Sequence, residues 1–105
     1  MDGAAFTGEL FRIVDDLLAI PQPRNERGRD QVVGVLSAAI AGAIPRSGEA
    51  RADLFAIVKT CLDYHGGLQQ LHQAIRGFVG ESMAVQRLER TIARLLYPPT
   101  PEDAD

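Results

Sequence analysis

The chain has 105 residues, 46% hydrophobic and 24% charged, with 11 basic and 14 acidic side chains and a formal net charge of −3. That is one domain's worth of chain, too apolar to be disordered over most of its length and too short for a large multi-part enzyme. The acidic balance disfavours dedicated nucleic-acid binding unless Arg clusters on one face, and a single cysteine, Cys61, excludes an intrachain disulfide and points to a reducing compartment.

Phe6, Leu10, Ile13 and Leu17, flanked by Val14 and Leu18, fall at helical spacing. Thr7 is placed to cap this first helix, Glu9 sits in its first turn, and Pro21 stops it. The stretch 21–26, with two prolines, reads as a loop. Asn25 is a cap for a second helix over about residues 26–36, with Val32, Val33, Val35 and Leu36 apolar and Gly34 weakening it slightly. Small apolar residues over 37–44 predict a short helical turn, ended by Pro45, whose Ile40 and Ile44 dock on the core.

A long helix is predicted over about residues 50–65, with Leu54, Ile57, Val58, Cys61 and Leu62 as its buried stripe and Phe55 at the margin. Asp53 lies near its N-terminus, where the macrodipole favours an acid. Gly66 and Gly67 end it. The next helix, about residues 68–79, buries Leu68, Leu71, Ile75 and Phe78, and Gly80 terminates it. Ser82 caps the last helix, 83–96, whose Val85, Leu88, Ile92 and Leu95 repeat the same spacing before Pro98 and Pro99. No segment shows sustained period-two alternation. The expectation is an all-α, compact antiparallel bundle of five to six short helices over residues 1–97, followed by a flexible Pro/acidic tail or linker start over 98–105.

The opening MDGAAFTGELF lacks the basic start of a signal peptide, and the longest weakly polar run, 31–45, falls short of the roughly 20 apolar residues of a spanning helix. A cytoplasmic protein without membrane contact is expected.

Cys61, His65 and His72 are the only soft metal-ligand types, one fewer than a structural zinc site uses, and Cys61 lies on an apolar stripe. Cys61 and His65 sit on adjacent turns of one helix, which sets them along the helix rather than around a cleft. Gly66–Gly67 opens onto a helix N-terminus but lacks the spacing and the Lys-Ser/Thr of a phosphate loop. No catalytic, cofactor or metal residues are assigned. The charged groups say more. Ten of the 11 basic residues are Arg, and Arg87, Arg90 and Arg94 share one face of the last helix at i, i+3 and i+7. Asp15 and Asp16 stand against them on the first helix. Complementary faces of this kind suit pairing between domains, so these five residues are the candidate partner-binding set.

Five motifs, in order, carry more than periodicity: Leu17-Leu18-Ala19-Ile20-Pro21; Arg29-Asp30; Ile44-Pro45-Arg46-Ser47; Asp53 onward to the string Cys61-Leu62-Asp63-Tyr64-His65-Gly66-Gly67-Leu68; and Phe78-Val79-Gly80-Glu81-Ser82. This ordering resembles the effector-associated domains of bacterial conflict systems, over most of the chain from Phe6 to Leu96. His65 departs from the family's proline before the glycines. Ser37-Ala38 departs from a proline-rich break, which leaves the end of the second helix open. The resemblance implies a death-domain-like bundle and a non-catalytic adaptor without cofactor. It implies recruitment of another effector-associated domain, on an effector or sensor such as a protease, TIR-like or NTPase fusion, through homotypic contacts, with self-association as a variant. It also implies that Asp53, Cys61, Leu62, Tyr64, Gly66, Gly67 and Leu68 are structural. Two other readings of the residues stand beside it: a small helix-turn-helix DNA-binding regulator, and a small enzyme or metal site around Cys61 and His65.

Overall fold

A computed structural model describes residues 3–97, with side chains from Thr7 onward; the side chain of Phe6 and the expected tail at 98–105 lie outside the described residues. Its helices are α1 (Gly3–Leu18), α2 (Pro21–Arg24), α3 (Glu26–Gly34), α4 (Ala38–Ala43), α5 (Ala50–Leu62), α6 (Gly67–Val79) and α7 (Met83–Leu96). The result is an all-α bundle. α1 runs through its middle, packed chiefly on α7 and α5, while α6 bridges α5 and α7.

The periodic stripes become the core. Leu10, Ile13, Val14 and Leu17 of α1 meet Leu54, Ile57, Val58 and Cys61 of α5, with Val85, Leu88 and Ile92 closing the cluster from α7. Ile40 and Ile44 are buried, as their spacing predicts. Phe55, at the margin, stacks on Phe11 with ring centroids 4.8 Å apart. Asn25 and Ser82 cap as read: their side-chain oxygens accept from Gly28 N at 2.7 Å and Val85 N at 3.1 Å.

Several expectations need correction. The stretch read as a loop holds α2, a four-residue helical turn. Pro21 at its start supplies a preorganised φ and loses only an N–H that has no intrahelical partner. The carbonyls of Pro23 and Arg24 at its other end accept from the Arg29 guanidinium at 3.3 and 2.9 Å. α1 starts at Gly3, so Thr7 lies within the helix rather than capping it. α3 stops at Gly34, and Val35, counted as apolar surface of that helix, is 59% exposed. Phe78 has the right spacing for the α6 stripe yet is 47% exposed; in that last turn it is Val79 that packs against the core.

At the α5–α6 turn two glycines are required by geometry. Gly66 takes φ +74°, the left-handed conformation that turns the chain between α5 and α6. A Cβ on Gly67 would stand 2.0 Å from the Cys61 carbonyl oxygen, so this turn closes only without a side chain there.

Candidate functional site

Two groups of arginines answer to different neighbours. The first surrounds Asp53, which is 0% exposed, beside Arg29, which is 2% exposed. Arg29 Nε donates to Asp53 Oδ2 at 2.6 Å. Arg46 donates from Nε to Oδ1 and from Nη2 to Oδ2, each at 2.9 Å, and the Ser47 N–H adds a bond to Oδ1 at 3.1 Å. Arg46 Nη2 also reaches Asp30 at 2.8 Å, which balances the two guanidinia with two carboxylates. Burial by itself would raise the Asp53 carboxyl, but the bonds from Arg46, Arg29 and Ser47 outweigh it and hold the group at about 2. The bond to Asp53 raises Arg46 above the usual guanidinium range, with Asp30 adding to it against desolvation. This network ties α3 and the loop before α5 to the start of α5. Its acceptors and donors are occupied by one another, so it is a structural clamp. The reading of Asp53 as a dipole-favoured acid captured its place at the helix start and missed its partners, which lie 24 and 7 residues away.

The second group is on α7. Arg87, Arg90 and Arg94 are exposed, and none of the three makes an ion pair among the described residues. Glu89, their neighbour in sequence, does not neutralise them. It faces α6, where its Oε2 stands 3.3 Å from His72 Nε2, in a geometry short of a hydrogen bond. Of the two aspartates on α1, Asp15 is exposed and paired with Arg51 at 2.7 Å. Asp16 is buried, and its carboxylate accepts a hydrogen bond from the Thr91 hydroxyl of α7. The two aspartates therefore stand on different sides of α1, one facing α5 and the other α7. Thr91 escaped the sequence reading because a lone threonine in a helix carries no signal for a partner 75 residues away.

Cys61, His65 and His72 do not converge. Cys61 is fully buried, and burial pushes its thiol up to about 12, away from nucleophilic chemistry. A hollow of about 420 Å³ at the α5–α6 turn is lined by Cys61, Tyr64, His65, Gly67 and Tyr97, among others, while His72 lines a separate one between α6 and α7. Cys61 and His65 border the first hollow together, but Cys61 is fully buried and its thiol is not exposed there. No group of three or more His, Cys, Asp or Glu among the described residues is placed to hold a metal ion. No helix among them is long and apolar enough to cross a membrane.

Residues 14–93 match the model of a family described as effector-associated domain 2. The chain belongs to that family. No curated protein and no solved structure matches it. Effector-associated domains are accessory, non-catalytic parts of effector systems. The matched span contains the whole Arg29–Asp53–Arg46 clamp as well as Arg87 and Arg90, and Arg94 lies one residue beyond it.

Proposed function

We propose that this effector-associated domain is an adaptor. It recruits an effector or sensor by binding another effector-associated domain, and it contributes proximity rather than chemistry. Raising the local concentration of a tethered partner strengthens a second encounter without new contacts at the reacting centre. The observation that carries this reading is the Arg87–Arg90–Arg94 face of α7, a charged surface without an ion pair among the described residues. Asp15, paired with Arg51 on the α5 side of α1, would lie outside that contact, and buried Asp16 would hold α7 at its angle to α1.

The test is co-purification with proteins encoded next to this one that carry an effector-associated domain of their own. Association that is lost in Arg90→Glu/Arg94→Glu, with the helical circular-dichroism signal unchanged, supports the adaptor reading. Failure of every such neighbour to associate overturns it. The helix-turn-helix alternative has the same arginines in its favour. Against it, residues 3–97 hold all 11 basic residues and 10 of the 14 acids (Asp2, Glu102, Asp103 and Asp105 lie outside), a near-neutral body. Duplex DNA binding that falls steeply with salt would favour that alternative.

A further inference from the structure

Positions 83, 87, 90, 94 and 97 follow one another at intervals of four, three, four and three residues. On an α-helix they fall within an arc of about 80° and span about 21 Å. Met83 and Tyr97, at the two ends, are 70% and 71% exposed, and the three arginines lie between them. Tyr97 is the C-cap that follows the last helical residue: its N–H still donates to the Ala93 carbonyl at 2.8 Å, while its φ of −131° leaves the helical conformation and its side chain borders the hollows beside α6, so it marks the end of the row rather than a position on it. Such spacing is that of a helix–helix seam. The core-facing side of α7 is a different one, formed by Val85, Leu88 and Ile92.

We propose that this face of α7 docks an acidic helix of a different chain, one with carboxylates at its middle and an apolar residue near each end. The proposal rests on the adaptor reading and names the chemistry of the partner. Charge complementarity selects the occupant. Three guanidinium forks without a carboxylate would lose hydration uncompensated under a neutral or basic partner, whereas each fits a carboxylate bidentately. The apolar ends favour a protein helix over a phosphate backbone, which offers them nothing to bury against.

A second copy does not supply the complement. Asp15, Asp30, Asp53 and Glu81 are in ion pairs with arginines, Glu89 faces His72, and Asp16 is bonded to Thr91. The other acids of residues 3–97, Glu9, Glu26, Glu49 and Asp63, stand on or beside three different helices. No single helix of a second copy therefore presents three carboxylates in a row from the described residues.

The experiment is fluorescence anisotropy on the full chain with three probes: a synthetic helical peptide with Leu at its ends and Glu at its middle positions, the same peptide with Lys in place of Glu, and a duplex DNA. The Glu peptide is expected to bind and the other two to bind at least about tenfold more weakly. Arg87→Glu/Arg90→Glu/Arg94→Glu should lose about tenfold or more for the Glu peptide and gain the Lys peptide, a swap that misfolding would not produce. Met83→Ala/Tyr97→Ala should weaken the Glu peptide a few-fold. Equal binding of the Glu and Lys peptides, tighter binding of DNA, or a triple variant that keeps the Glu peptide overturns the proposal. So does self-association abolished by the triple reversal, or a large gain in Glu-peptide affinity on deleting residues 98–105, which would give the face to the chain's own acids. If the co-purified partner survives the triple reversal, this seam fails and the adaptor reading stands. If no neighbour co-purifies while the peptides discriminate, the adaptor reading alone fails.

Discussion

Arg29 and Arg90 are the same side chain put to opposite uses. At the α2–α3–α5 corner, Arg29 is enclosed and spends its donors on Asp53 and on the carbonyls that end α2. On α7, Arg87, Arg90 and Arg94 keep their donors in water. The difference comes from where the acids are. Asp53, Asp30, Asp15 and Glu81 are paired with arginines and Asp16 is bonded to Thr91, so among the described residues the charge left unanswered is weighted toward arginine. A formal net charge of −3 hides this partition.

The contrast can be broken by removing the shared anion of the clamp. Asp53→Ala strands the buried Arg29 guanidinium, while the partly exposed Arg46 keeps Asp30, and should cost about 3–5 kcal/mol, since breaking a buried pair leaves an uncompensated charge. In a domain of this size that lowers Tm by more than about 10 °C in a thermal melt. A loss near zero would make the clamp no different from the surface face. A gentler probe is acid. The Asp53 carboxyl falls from 3.8 to about 2 on folding. Its folded value is the lower one, so its contribution is complete above about pH 4 and is lost as pH falls through about 2, a change of about 2 kcal/mol. Urea unfolding of the native protein should show this loss over that window, and Asp53→Asn should lack it.

Smaller effects sharpen the other side. Arg51→Ala removes an exposed pair with Asp15 and should cost no more than about 1 kcal/mol by the same urea assay. Arg90→Glu/Arg94→Glu should leave stability within about 0.5 kcal/mol, because these side chains have no intramolecular partner to lose. A marked destabilisation there would mean that the α7 face serves the fold.

Periodicity revealed most of what is local, though not the helical turn α2 or the start of α1. The apolar stripes of α1, α5 and α7, the caps Asn25 and Ser82, and the glycine turn at 66–67 all follow from residues within one or two helical turns of each other. The order of the motifs carried the family, and it marked Arg29 and Asp53 before their contact was visible. What spacing could not reveal depends on which helix lies across the way. Phe78 keeps the pattern of its helix, yet in the last turn it is Val79 that packs against the core. Asp15 and Asp16 are adjacent in sequence, and only the positions of α5 and α7 decide that one is exposed and the other buried. The arginine row of α7 was legible in its spacing, but Glu89 was seen not to pair with it among the described residues only once α6 lay across from it.

Cys61, the chain's one thiol, sits at 0% exposure on the buried side of α5. A bulky thiol reagent cannot meet it while the helices are closed, so the pace of labelling at neutral pH counts openings of the domain. Where resealing outruns reaction, that pace tracks the population of the open form; where reaction outruns resealing, it tracks the opening rate itself. The protein thus carries its own clock for how often the bundle comes apart, readable without adding a dye or changing a residue.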